Sequence, residues 1–294
     1  MDVEITKMNG ESFRLSDYGM HVRDFIVSAP EIESHYEYVD GRNGNIDMGA
    51  VFTNRSIVVP FYFKGADYQD VALARDELFS LVVDSEPFYV RELRRIKYHP
   101  GHIFEECDDG SYDNMYAGGK RYKVRMASAF DIEQLFTYGM GEIPFETVGL
   151  PYAESIGTTA DITGNVLKYS DELWSYGMGL LYDEDSHKYI HTNKQFRIYN
   201  AGNVEVHPFE QYLKITIANA TKGYKLTNTT TGDVFEYAGA SSGKIVLDGP
   251  NVTVNSLQAL RNTNRKFLTL APGWNTFTQN QTREVKFDTR FYYK

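Results

Sequence analysis

Several groups of residues in this sequence have side chains able to do chemistry, and none has the spacing that its chemistry requires. His99, His102 and Cys107 offer the imidazole and thiolate ligands that zinc favours, but their spacing matches no usual tetrahedral site, so the segment reads as a solvated loop. Asp183, Glu184, Asp185, His187 and His191 invite a calcium or zinc reading; the Asp-x-Asp-x-Asp-Gly order and closing Glu of a calcium loop are missing, which leaves a solvated turn. Gly41-Arg42-Asn43-Gly44-Asn45 is glycine-rich like a phosphate cradle, yet it lacks the Gly-Lys-Ser/Thr ending and the helix that follows one. There is no His-Glu-x-x-His helix or Cys-x-x-Cys pair. A glycosidase needs only two carboxylates at a suitable distance, so 40 acidic residues leave that class open without pointing to it. Trp174 and Trp274 are the candidates for stacking on a sugar, but Trp is highly buried on average and both are expected to pack. No catalytic, cofactor-binding or metal-binding residue is assigned, no cofactor is expected, and the chain is not expected to be an enzyme.

Composition narrows the class. A chain of 294 residues is long enough for about two domains with separate cores. Tyr 22 and Phe 18 against Trp 2 describe aromatic-rich strands. A formal charge of -10 without a basic stripe disfavours a nucleic-acid groove, which needs clustered Lys and Arg. Cys107 is the only cysteine, so no internal disulfide forms, and MDVEITKMNG has no signal-peptide character; synthesis in cytoplasm-like conditions is expected. No apolar run approaches the ~18 residues of a membrane span. The triplets at Asn219 and Asn251 carry no glycosylation meaning without a secretory signal.

The elements that would position any site are organised around the stretch from Ile57 to Val90. Ile57, Val59, Phe61 and Phe63 alternate with Val58, Pro60, Tyr62 and Lys64, the period of a strand, and Pro60 predicts an edge or bulged position because it has no ladder donor. Asp67 is placed to cap a helix near 68–82, and Asp70 favours the positive end of its dipole. Val71, Ala74, Leu78, Leu81 and Val82 form one apolar stripe on that helix. Before it, Met8-Asn9-Gly10-Glu11 predicts a hairpin, and Val22, Phe25 and Val27 mark a second strand region. After it, the polar excursion from Lys97 to Lys120 reads as an arm to a neighbouring subunit. Tyr98, Ile103, Phe104, Tyr112, Met115 and Tyr116 would be its apolar anchors, with Glu105, Glu106, Asp108 and Asp109 at a wet rim. Tyr138-Gly139-Met140-Gly141 and Tyr176-Gly177-Met178-Gly179 read as glycine turns, not as a repeat.

Hydrophobic periodicity lapses from Leu150 to Thr159, which divides the chain into residues 1–150, an N-terminal β-sandwich with one helix, and residues 151–294. Beyond Gln195 short strands recur with turns between them, as a sandwich demands; they include Val204 to Val206, Leu213 to Ile217 and Phe267 to Leu270. The expected class is mainly β.

The order Phe196-Arg197-Ile198-Tyr199-Asn200-Ala201-Gly202-Asn203-Val204-Glu205-Val206-His207-Pro208, Thr230-Thr231-Gly232-Asp233, Ile245-Val246-Leu247-Asp248-Gly249 and Phe267-Leu268-Thr269-Leu270-Ala271-Pro272-Gly273-Trp274-Asn275 resembles the distal tail protein (Dit) family of long non-contractile-tailed bacteriophages. The Gly41-Arg42-Asn43-Gly44 turn, Arg55-Ser56-Ile57, the helix with Arg75-Asp76-Glu77-Leu78 and Pro151-Tyr152-Ala153-Glu154-Ser155 extend that resemblance to the first half. It implies an N-terminal sandwich whose helix closes a hexameric ring, and a C-terminal galectin-like β-sandwich splayed outward. It also implies a structural hub at the distal end of the virion tail. The implied partners are the tail tube, tape-measure and tail-associated hub proteins on the axis and receptor-binding or baseplate proteins outside, with no specific nucleic acid and no membrane insertion. The rival reading is a lectin-like module that contacts host cell-wall glycans.

Overall fold

Alternation around Ile57 dictates a strand, and the structure places that strand deeper in its sheet than the proline in it predicts. The structure is a computed structural model and describes residues 1–95, 116–162, 173–175, 177–181, 183–240 and 242–294. It divides into two units, residues 1–153 with Lys294, and residues 154–293.

The first unit runs through Asp2–Thr6 (β1), Ser12–Arg14 (β2), His21–Val22 (β3), Ile26–Val27 (β4), Ile32–Glu37 (β5), Ile46–Phe52 (β6) and Ser56–Lys64 (β7). The helix Tyr68–Val82 (α1) follows, then Phe88–Arg95 (β8), Tyr116–Ala117 (β9), Lys120–Met126 (β10), Ile132–Leu135 (β11) and Tyr138–Thr147 (β12). One antiparallel sheet has the order β2-β1-β8-β10-β12-β7-β3, with β11 on β12, β4 on β7 and β9 on β8. The turn between β1 and β2 is closed by the Gly10 N–H donating to the Lys7 carbonyl at 3.0 Å, with Gly10 at φ +90°, a left-handed conformation that suits glycine.

Strand β7 pairs with β12 from Ser56↔Glu146 to Lys64↔Tyr138, and on its other side meets β3 at Phe61 and Tyr62 and β4 at Ile57 and Val58. The edge or bulged position expected from Pro60 is therefore corrected: Pro60 lies within the sheet, opposite the break between β3 and β4. Its carbonyl accepts from the Arg23 N–H at 2.8 Å. In an antiparallel ladder the N–H and C=O of one residue point toward the same neighbour, so the missing donor faces the break and the β12 ladder is intact.

Helix α1 begins where its cap predicts, with Asp67 Oδ1 accepting from the Gln69 N–H at 2.7 Å and the Asp70 N–H at 3.0 Å. Val71, Leu78 and Val82 are buried against Val59, Phe61, Phe63 and Phe145, and Ala74 and Leu81 pack beside them. The expected apolar stripe is thus the face that enters the core. Gly139 and Gly141 lie inside β12 and not in a turn. A Cβ at Gly139 would come within 2.3 Å of the Phe63 ring, so the strand gives up side chains there to seat the phenylalanines of β7.

The second unit is entered through Ala153–Ser155 (β13) and the one-turn helix Thr159–Ile162 (α2). It continues through Ile190–His191 (β14), Gln195–Asn200 (β15), Leu213–Ala220 (β16), Tyr224–Asn228 (β17), Val234–Tyr237 (β18), Gly243–Asp248 (β19), Asn251–Val254 (β20), Leu257–Gln258 (β21), Gly273–Gln279 (β22), Val285–Thr289 (β23) and Tyr292–Tyr293 (β24). Two antiparallel sheets, β14-β23-β16-β19-β20-β21 and β15-β22-β17-β18, form a sandwich. Phe277 of one sheet meets Phe287 of the other at 4.8 Å, and Phe196 stacks on Phe277 at 5.6 Å. Alternate burial along β15, β22 and β23 follows from this packing.

The strands expected at Val204 to Val206 and Phe267 to Leu270 are only a single bridge, Val206↔Leu270. Side-chain amides take the backbone groups that a longer ladder would use. Asn200 Nδ2 donates to the carbonyls of Val204 at 3.1 Å and Leu270 at 3.3 Å, Asn228 Nδ2 to Thr269 at 2.8 Å, and the Ala271 N–H donates to Asn275 Oδ1 at 2.9 Å. All three asparagines are buried.

Candidate assembly surface

Strands β5 and β6 pair only with each other, with no further strand beside either among the described residues. A two-stranded hairpin is marginal by itself in water, and this one is exposed along nearly its whole length. Directly opposed residues share a face. Ile32↔Phe52, Ser34↔Ala50 and Tyr36↔Asp47 therefore define one face, and Glu33↔Val51 and Glu37↔Ile46 the other. The register shift between Ser34 and Tyr36 accommodates Gly49 at φ +97°. The first face carries Ile32, Tyr36 and Phe52 beside Ser34, Ala50 and Asp47; the second carries Ile46 and Val51 beside Glu33 and Glu37, so exposed apolar side chains lie on both. Ile32 is 59% exposed, Met48 61% and Tyr38, at the tip, 77%. Phe52, at the root, already meets the Tyr152 ring at 6.3 Å and the Lys294 ammonium at 5.0 Å; burying one large apolar side chain contributes about 1.5–3 kcal/mol, so the exposed side chains farther along the hairpin have energy to gain from cover.

The root of the hairpin is fixed where its blade is free. Glu31 N–H donates to the Asn54 carbonyl at 2.8 Å and Thr53 N–H to the Glu31 carbonyl at 3.1 Å. Arg55 N–H donates to Thr147 Oγ1 at 2.9 Å, Thr147 N–H returns a bond to the Arg55 carbonyl at 3.0 Å, and Asn54 Nδ2 bonds Glu146 Oε1. The Arg55 guanidinium is buried 5.8 Å from the Tyr122 ring centre. Burial raises the Tyr122 phenol above its ordinary pKa, and the charge of Arg55 opposes that rise.

A second exposed apolar spot lies at the turn between β11 and β12. Leu135 is 53% exposed and Phe136 71%, Phe136 has φ +55°, and the Gly65 N–H donates to the Thr137 carbonyl at 2.8 Å. On α1, Tyr68 and Leu73 also face outward.

The groups singled out by their chemistry are used in other ways or fall outside the described residues. His99, His102 and Cys107 lie outside them, as does most of the proposed arm; Tyr116 begins β9, whose partner is β8. Asp183 caps the short 3-10 helix Glu184–His187 by accepting from the Asp185 N–H at 3.1 Å. Asp185 holds Lys188 at 2.7 Å, and the His191 ring stacks on Phe196 at 4.8 Å. Burial depresses the His191 pKa. Among the described residues no three His, Cys, Asp or Glu side chains gather as metal ligands. Trp174 is buried against Phe291. Trp274 is half-buried on the outer side of its sheet, with the Arg197 guanidinium 4.5 Å from its ring centre and Tyr199 at 5.1 Å. No described helix is long and apolar enough to cross a membrane.

Residues 8–147, within the first unit, match the model of the family described as the phage tail protein RIFT-related domain. The crystal structure of SPP1 Dit (gp 19.1), described as a paradigm of the hub adsorption apparatus in phages that infect Gram-positive hosts, is similar in fold at TM-score 0.61. It shares 13% identity, and the alignment covers 98% of this chain and 99% of that one. A chain of the phage P2 baseplate in its activated conformation with Ca aligns at TM-score 0.42 and 9% identity over 99% and 97% of the two chains, too slight a likeness to define a fold. No curated protein matches in sequence. The family match covers residues 8–147, just under half of the chain, and the likeness to SPP1 Dit is a likeness of fold.

Proposed function

We propose that the chain assembles through its first unit into a six-fold ring, in which the exposed β5–β6 hairpin lies against a neighbouring copy. The observation that carries this reading is the bare hairpin itself, free along its blade and held at its root by Arg55 and Thr147. A ring of identical subunits covers such a surface with heterologous contacts that close on themselves. The ring is a hub without catalysis at the distal end of the tail. The tail tube, tape-measure and tail-associated hub proteins lie on its axis, and baseplate or receptor-binding proteins attach outside. The two units act as separate domains with their boundary near residue 150, and the second is a galectin-like sandwich turned toward the outer partners. Production in the host cytoplasm fits a single cysteine.

Light scattering on the purified chain tests the reading. The expected mass is that of a hexamer, and replacing residues 33–51 by a short Gly-Ser linker should return folded monomers. A hexamer that survives the replacement would remove the hairpin from the interface, and a closed assembly of another symmetry would remove the six-fold ring. The lectin reading has a specific obstacle at Trp274, whose indole is already faced by Arg197. Glycan binding by the whole chain that disappears on Trp274→Ala would restore it.

A further inference from the structure

Strand β18 ends the four-stranded sheet of the second unit, with β17 on one side and no strand on the other. Its pairing with β17 through Thr227↔Val234 and Lys225↔Glu236 leaves alternate backbone groups pointing outward. Three of those groups meet one residue. The Glu236 N–H donates to Asn264 Oδ1 at 3.2 Å, Asn264 Nδ2 donates to the Val234 carbonyl at 2.7 Å, and the Asn264 N–H donates to the Glu236 carbonyl at 3.1 Å. One residue along, the Ala238 N–H donates to the Asn262 carbonyl at 2.8 Å, and Thr263 forms a single bridge with Tyr237. The Lys266 N–H also donates to Asn264 Oδ1 at 3.2 Å, and the Arg265 N–H to Thr263 Oγ1 at 3.1 Å, which hold the amide in place. Arg265 then takes φ +58° and turns the chain away from the strand.

We infer that Asn264 is a side-chain plug of the β18 edge: its carboxamide stands in for the peptide group of an added strand and prevents a second copy of this chain from pairing there. An open edge is a template for strand addition. A primary amide offers the donor and acceptor that a peptide presents, yet it carries no strand onward. Exposed Arg261, Arg265 and Lys266 flank the plug, and charge beside an edge discourages pairing between copies. The remaining ends of the two sheets are protected by other means. β14 and β21 are two residues long, and on the β15 side the Tyr199 carbonyl accepts from the Tyr189 hydroxyl at 2.8 Å. The second unit therefore offers partners its faces and loops, not a strand edge.

The test compares full-length Asn264→Ala and Asn264→Asp with the parent chain by amide hydrogen exchange and by sedimentation across a concentration series. Loss of one hydrogen bond speeds exchange by about fivefold to tenfold, so the Glu236 amide should accelerate by that factor in Asn264→Ala. Asn264→Asp, which keeps an acceptor for Glu236 but loses the donor for Val234, should accelerate it less. Both variants should form species larger than the parent's assembly as concentration rises, Asn264→Ala the more. Unchanged exchange at Glu236 would show that Asn264 does not hold the edge. Accelerated exchange without larger species would show that the plug does not guard against pairing. Either result overturns the proposal, and both are independent of whether the parent assembles as a hexamer.

Discussion

The β5–β6 hairpin and strand β18 pose the same chemical problem, a row of backbone donors and acceptors without a strand beside it, and the two units treat it in opposite ways. In the second unit the row is four residues long and met by Asn264. In the first, strands of six and seven residues stand without a further strand on either side among the described residues, with large apolar side chains exposed on both faces. Where natural proteins cover, shorten or charge an edge they avoid association; where they leave one long and apolar, association is the use that repays it. Under the proposed ring, the difference would separate a unit that stands alone from one that a neighbouring copy completes.

Core substitutions test that separation with the largest effect. Phe277 is fully buried and contacts both Phe196 and Phe287, so Phe277→Ala should cost the second unit about 3–5 kcal/mol, read as a lower midpoint in chemical denaturation. Assembly through the first unit should be unaffected at temperatures where the rest of the chain stays folded. If the assembled mass also fell, the units would not be separable in the way the comparison claims. A smaller loss is expected at Asn275, buried and bonded in both directions to Ala271. Asn275→Ala leaves the Ala271 carbonyl and N–H short of a partner, at about 1–3 kcal/mol, and a loss near zero would mean that water replaces the amide. The smallest effect on folding belongs to the hairpin. Ile32→Ser should change the stability of the subunit by no more than about 0.5 kcal/mol, since its side chain has little cover, while lowering the assembled mass measured by light scattering. A large loss of monomer stability would show that the hairpin is part of the first unit's own fold.

Much of the buried framework was legible in the sequence, because burial imposes a period. The stripe from Val71 to Val82 and the alternation from Ile57 to Phe63 are read directly from spacing, and both enter one core. The hairpin was not legible. Its strands are exposed on both faces, so no face selects apolar residues, and only the glycine turn between them stood out. Pro60 misled because the proline rule concerns donors and not position; a strand inside a sheet tolerates proline wherever the neighbour on one side is interrupted. Val204 to Val206 and Phe267 to Leu270 have the residues of strands, but the buried side-chain amides of Asn200 and Asn228 bond the carbonyls of Val204, Leu270 and Thr269. Gly139 looked like a turn because its reason, the Phe63 ring, is supplied by another strand. The chemistry-bearing residues His187, His191 and Trp274 belong to the second unit, while the exposed side chains of the candidate surface are ordinary ones, Ile32, Tyr36 and Met48.

The seating of the hairpin on β12 has a mechanical consequence. Its root bonds pass through Asn54 and Arg55 to Glu146 and Thr147, at one end of the ladder in which β7 and β12 stay in register from Ser56↔Glu146 to Lys64↔Tyr138. A pull on the hairpin directed along β7 loads that whole ladder in shear, so its hydrogen bonds resist together and not one after another as in peeling. Since Pro60 spends its missing donor on the opposite side, the ladder has no weak rung at its centre. In the proposed ring the first unit would thus act as a tension member, with load on the hairpin shared along the β7–β12 ladder.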